Sequence, residues 1–121
     1  MKLVPDAIQA QSISSYGPGW LAINGEKVSS SIVISVAGAR FDWDCSSFEA
    51  LQASHFERLS SMDAELIIFG SGERIRFPPA QMLQSLYAKR IGVETMDTQA
   101  ACRTYNFLAA DGRKVVGAFL L

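Results

Sequence analysis

The segment Leu66-Ile67-Ile68-Phe69-Gly70-Ser71-Gly72 decides the fold class. Its first four positions are all apolar, the mark of a central strand covered on both faces. Gly70-Ser71-Gly72 then stops it. The next helix starts at Pro78 or Pro79, because the N–H that proline lacks has no helical partner in a first turn. Leu83, Leu86, Tyr87 and the aliphatic stem of Arg90 mark its inner face. Lys89 and Arg90 suit the negative end of its dipole, and Gly92 offers a left-handed C-cap. Val93 to Met96 reads as a short strand. Asp97 or Thr98 caps a third helix, whose packing stripe is Ala101, Tyr105, Leu108 and Ala109 and which Gly112 ends. Val115 to Leu121 is a last strand with Gly117 as its only gap. Strand-helix-strand-helix-strand over 66–121 is the crossover pattern, which sets helices against a sheet with right-handed connections.

Upstream of this unit the chain is β-rich. A strand near Ile8 to Ser15 leads to the turn Tyr16-Gly17-Pro18-Gly19, and a short strand from Trp20 to Ile23 meets Asn24-Gly25. Both central residues of a type I′ turn need positive φ, so Asn-Gly is a strong hairpin signal. With a period of two, Val28, Ser30, Ile32, Ile34 and Val36 fall on one face and Ser29, Ser31, Val33, Ser35 and Ala37 on the other, predicting one strand with a packed face and a wetter face. Ser46-Ser47-Phe48-Glu49 has capping-box form. It predicts a helix to about Leu59, with Phe48, Leu51, His55 and Leu59 on one stripe. Antiparallel hairpins joined to a crossover unit give an α/β fold with a mixed sheet, the front strands either extending it or forming a second sheet.

The chain has 121 residues, 49% apolar and 19% charged, with eleven Lys and Arg against twelve Asp and Glu. That supports one domain over 1–121 with a real core. A net charge of -1 argues against a nucleic-acid binder, which needs excess cations to displace counterions. No apolar run approaches the length of a membrane span. Met1-Lys2-Leu3-Val4-Pro5-Asp6 resembles neither a signal peptide nor a transit peptide, which points to a cytoplasmic protein. Two cysteines, Cys45 and Cys102, are too few for a disulfide scaffold and fit a reducing compartment.

In α/β sheets ligands gather beyond the carboxyl ends of parallel strands. Here those ends are Gly70-Ser71-Gly72 and Asp97-Thr98, and if their strands are neighbours the loops line one crevice that also holds Arg103 and, in a wider version, Phe77. A helix N-terminus beside an Arg suits an anion. The competing reading is that Asp97 and Thr98 only cap the helix and that Gly70-Ser71-Gly72 is only a tight turn. Without a Gly-Lys-Ser/Thr sequence the loop is a poor nucleotide site. Cys102, beside Arg103 in the second turn of its helix, is a candidate reactive thiol. Its neighbour Ala101 on a packing helix argues instead for a buried structural one. His55, the single histidine, lies on an apolar stripe, and no set of zinc ligands or Ser/His/Asp device forms around it. Arg74, Arg76, Arg113 and Lys114 read as solvated charges. Trp20, Phe41, Trp43 and Phe77 either cap the core or anchor a partner.

The stretch Gly92-Val93-Glu94-Thr95-Met96-Asp97-Thr98-Gln99-Ala100-Ala101-Cys102-Arg103-Thr104-Tyr105-Asn106, with Asp111-Gly112-Arg113-Lys114-Val115, Leu66 to Gly72 and Tyr16-Gly17-Pro18-Gly19, closely resembles the Mth-domain family. That family includes the mitochondrial respiratory complex I assembly factor 3, the adipogenesis-associated Mth-domain protein and many small prokaryotic proteins. It usually has Gly-Thr-Gly where Gly70-Ser71-Gly72 stands, and often Glu-Gly-Arg where Asp111-Gly112-Arg113 stands. The resemblance implies a three-layer α/β domain with a mixed central sheet and an accompanying β-hairpin layer, no cofactor and no established enzymatic activity. It points to a prokaryotic protein-interaction module, of the kind that assists assembly of a respiratory complex, with homo-oligomerisation open. An anionic-ligand site or enzyme using Ser71, Thr98 and Arg103 is the alternative.

Overall fold

The structure, a computed structural model, describes residues 11–121. The expected first strand therefore lies partly outside them, at residues 8–10, as does the leader reading of residues 1–6. The strands are β1 (Ile13–Gly17), β2 (Trp20–Ile23), β3 (Glu26–Val28), β4 (Ile32–Ser35), β5 (Arg40–Asp42), β6 (Leu66–Gly70), β7 (Gly92–Met96) and β8 (Val115–Phe119). The α-helices are α1 (Ala53–Glu57), α2 (Gln84–Ala88) and α3 (Thr98–Ala110), with 3₁₀ turns at Phe48–Ala50, Arg58–Ser61 and Ala80–Leu83.

The apolar run Leu66–Phe69 does sit inside a sheet. β6 pairs in parallel with β7 on one side and β8 on the other, and antiparallel β4 and β5 complete the order β5-β4-β8-β6-β7. The sheet is mixed, as expected. β1, β2 and β3 form a separate antiparallel sheet around Asn24 and Gly25, both at positive φ. The three layers follow from where the apolar side chains point. One sheet face, with Ile32, Ile34, Ile68 and Phe119, packs against Leu21 and Ile23 of the small sheet and against Ala101, Cys102 and Tyr105 of α3. The other face, with Val33, Ile67, Phe69 and Val116, packs against Trp43, Phe56, Leu59, Leu83 and Leu86.

Three expectations fail for identifiable reasons. The alternating run Val28–Ala37 is two strands in two sheets, because the chain leaves the ladder at Ser29–Ser31. All four residues of β4 are buried, so the alternation does not mark a wet face. The helix expected from Ser46 to Leu59 is broken. Ser47 rather than Ser46 precedes the first turn and makes no side-chain cap, Leu51 is extended, and α1 is capped reciprocally by Gln52 and His55. Phe56, off the expected stripe, is the buried side chain of α1. Gly92 is not a C-cap: Arg90 takes the left-handed turn with φ 60°, and Gly92 begins β7. Tyr87 accordingly points outward, 51% exposed. By contrast, α3 is capped and ended as read, with Asp97 accepting from the Ala100 N–H and Gly112 at φ 80°.

Gly117 is the gap that the sheet needs. A Cβ there would lie 2.4 Å from Phe119 Cζ and 3.0 Å from Tyr105 Cδ1, where those rings meet edge to face at 6.0 Å. Overpacking a filled core costs about 1–3 kcal/mol. Gly117→Ala should therefore lower the denaturant midpoint by that amount, and an unchanged midpoint would show that the rings have room to yield.

Candidate functional site

Parallel pairing of β6 with β7 brings both strand ends together over the start of α3, as the crevice required. The Ser71 N–H donates to Met96 O (2.9 Å), tying the two exits. Gly72, Asp97, Thr98 and Arg103 line a cleft of about 370 Å³, closed on its far side by the turn Gly17-Pro18-Gly19 and by Leu120 and Leu121. Phe77 is not part of it. That side chain stands on the opposite side of the sheet, 69% exposed.

Gly70 and Ser71 lie beneath the cleft rather than in its wall. A Cβ on Gly70 would come within 2.9 Å of Thr98 Oγ1 and 3.0 Å of Thr98 Cα, so glycine lets α3 seat directly on the strand end. Ser71 is 1% exposed. Its hydroxyl is 2.8 Å from Arg74 O and 3.2 Å from Met96 O, and it accepts from the Arg76 N–H (3.0 Å). It folds the 71–76 loop and has no face toward a ligand.

Thr98 is spent in the same way. Its hydroxyl donates to Leu120 O and accepts from the Gly72 N–H, both at 2.8 Å. The Thr98 N–H returns a bond to Gly72 O (2.8 Å). At the start of α3 the Ala100 N–H goes to Asp97 Oδ1 and the Ala101 N–H to Asp97 O. An anion would therefore find few free backbone donors there, and it would meet the carboxylates of Glu73 and Asp97 in the same wall. Arg103 is exposed, but its guanidinium donates to Tyr16 Oη (3.2 Å) and lies over that ring. This hydrogen bond holds the guanidinium above its ordinary pKa. Of the Ser71/Thr98/Arg103 constellation, two members are internal fasteners and the third reaches across to the small sheet.

Cys102 is fully buried against the central sheet. Burial outweighs the Arg103 charge and pushes its thiol up to about 12, from an ordinary 9.0. It is a packing thiol. Cys45 lies in the core on the other sheet face, donates to Ser47 O (3.1 Å), and is also raised by burial. His55 is engaged at both nitrogens. Nδ1 accepts from the Gln52 N–H (2.9 Å), which leaves Nε2 to donate to Asp44 O. No cluster of three potential metal ligands occurs among the described residues. Arg76, read as solvated, is half-buried in an ion pair with Glu49 and lies over Phe48.

Asn106 was missed from sequence. Its side chain accepts from the Ile13 N–H (2.9 Å) and donates to Ile13 O (2.6 Å), clamping β1 to α3. Tyr105 adds a bond from its hydroxyl to Gln11 O (2.7 Å). The one available signal was a polar side chain beside the packing residue Tyr105.

This arrangement is shared with known proteins. A family model described as a protein of unknown function (DUF498/DUF598) matches residues 13–120. The chain belongs to this family. It is 31% identical over 118 residues to NADH dehydrogenase (ubiquinone) 1 alpha subcomplex assembly factor 3 of Homo sapiens, covering 96% of this chain and 63% of that protein. The chain thus spans less than two thirds of that relative. A Bordetella parapertussis protein known from a crystal structure superimposes with a TM-score of 0.86 at 33% identity, over 92% of this chain and 95% of its own. A Mth938-like domain of Bordetella pertussis, solved by NMR, gives 0.80 at 28% identity over 91% and 85%. The Mth-domain resemblance and the three-layer α/β fold hold. No helix among the described residues is long and apolar enough to cross a membrane.

Two outcomes follow. Thr98→Val keeps the shape but strands the Gly72 N–H and Leu120 O, each costing about 1–3 kcal/mol when buried and unpaired. Denaturant titration should show a loss of about 2–4 kcal/mol, largely restored in Thr98→Ser, and equal stability of Thr98→Val would refute the fastener role. Cys102 should react with iodoacetamide only when the chain unfolds. Since its folded pKa lies above its unfolded one, its contribution to stability is full below pH 9 and falls as pH rises toward 12. Thermal unfolding of Cys102→Ala should lose that part of the alkaline decline.

Proposed function

We propose that this chain is a non-catalytic protein-interaction module, an assembly accessory of a respiratory complex acting in a prokaryotic cytoplasm as one domain over 1–121. The observation that carries the reading is the destination of the cleft's polar groups. Thr98 and Asp97 in its wall, and Ser71 beneath it, are engaged in fastening β6, β7, β8 and α3, so neither hydroxyl stands free there as a nucleophile. The likeness to a complex I assembly factor over 96% of this chain supports the same reading. So does the surface: Ile75, Phe77, Tyr87 and Phe107 are large apolar side chains at least half exposed, residues of the kind that anchor interfaces.

Affinity purification of the tagged chain from its own cells, after gentle lysis and crosslinking, tests this. Subunits or precursors of a respiratory complex should co-purify in fixed ratio, and removing the chain should lower the amount of assembled complex. Recovery of the free chain alone, or turnover of a metabolite by the purified protein, would end the reading.

A further inference from the structure

β7 is an edge strand of the central sheet. The Gly92 N–H donates to Glu65 O (3.1 Å) and Met96 O accepts from the Ser71 N–H (2.9 Å), so the even-numbered residues of β7 face β6. By strand alternation Val93 and Thr95 turn their N–H and C=O groups outward, and no hydrogen bond from another described residue reaches them. Natural edges are commonly blunted by Pro, Lys, a bulge or a covering loop; Gly92-Val93-Glu94-Thr95-Met96 has no Pro or Lys and pairs with β6 in unbroken register.

Beside this open edge lies a groove of about 420 Å³, walled by Phe77, Pro78, Leu83 and Tyr87 and, along β7, by residues 93–95. Phe77 and Tyr87 are two of the exposed large apolar side chains. Between the outward-bonding residues stands Glu94, exposed and outside every ion pair among the described residues.

We propose that β7 is a docking strand: an extended segment of a partner protein pairs with Val93 and Thr95, sets a Lys or Arg opposite Glu94, and lays apolar side chains into the Phe77–Tyr87 groove. This rests on the interaction-module reading and names its surface. Strand addition supplies affinity through backbone bonds and specificity through alternate side chains. The alternation asked of the partner is read from β7 itself. Residues opposite Val93 and Thr95 share the groove face, and the residue opposite Glu94 shares the other. A second copy of this chain fits less well, because symmetric antiparallel pairing through Val93 and Thr95 sets Glu94 against its own counterpart, and like charges directly opposed are destabilising.

The test places a photo-crosslinking benzoylphenylalanine at Tyr87, or at Phe107 on the outer face of α3 as a control, in the full chain within its own cells. Mass spectrometry then maps the attached peptide. The expected adduct at Tyr87 is a different protein, joined within a segment that alternates apolar and basic residues. Thr95→Pro removes one outward N–H, a change edge strands tolerate, and should cut the adduct about tenfold. Glu94→Lys should cut it about fivefold, and serves if the proline variant does not fold. An adduct with a second copy, or one indifferent to both substitutions, overturns the proposal. Adducts at Phe107 alone overturn it while leaving the interaction reading intact, and none at either position counts against both.

Discussion

The hydroxyl of Thr98 is the point at which three segments that are distant in sequence become one structure. It joins Gly72, at the exit of β6, to Leu120, just beyond β8, while its own residue opens α3. Each of these backbone groups belongs to a strand end, where ladder partners run out and an unmet donor or acceptor must find another bond or be wetted. Burial of Thr98 removes water from the choice. The side chain must then satisfy both ends at once, and it does so only because Gly70 lets the helix approach to contact distance. At the location that the sheet topology marks for a ligand, the Thr98 hydroxyl is thereby taken up by the protein's own fastening.

The same economy fixes the small sheet. β1 is held to α3 through the two-way clamp of Asn106 on Ile13 and through Arg103 on Tyr16. α3 therefore has three duties: its apolar stripe covers the central sheet, its N-terminus closes the strand ends, and its flank carries the β layer. Arg103 looked in sequence like a cation waiting for an anion. In the fold it belongs to the flank.

What could be read from the sequence divides along a physical line. Elements whose apolar pattern coincides with a strong local signal were legible: β6 from continuous burial, α3 from Asp97, its stripe and Gly112, and the hairpin from Asn24-Gly25. The crevice was legible only on the condition that the strands before Gly70 and Asp97 are neighbours, and the parallel pairing of β6 with β7 meets that condition. Errors arose where tertiary structure overrode local preference. Ser46-Ser47-Phe48-Glu49 has the form of a cap, yet Phe48 and Leu51 are pulled apart to serve the core, Glu49 is taken by Arg76, and the capping task passes to Gln52 and His55. Val28–Ala37 reads with period two and still divides between two sheets, since that period carries no information about which sheet a residue joins. The saturation of Ser71 and Thr98 was invisible for a related reason: their partners, Arg76, Met96, Gly72 and Leu120, are set by long-range register.

Topology and chemistry point to different places on this molecule. A ligand site needs polar groups that the fold has left unspent, and at the strand ends over α3 the hydroxyls of Ser71 and Thr98 are spent. Unspent groups occur instead at the sheet edge, where Val93 and Thr95 keep outward backbone bonds, Glu94 keeps its charge, and Phe77 and Tyr87 keep their rings in water. Leaving large rings exposed forgoes burial worth about 25 cal/mol per Å² of apolar surface, and the chain does bury other rings, since Trp43 beyond β5 and Phe56 of α1 are packed in the core. A cleft whose hydroxyls serve the fold, and an edge left open beside exposed aromatics, are the two observations on which the interaction proposal and its docking strand rest.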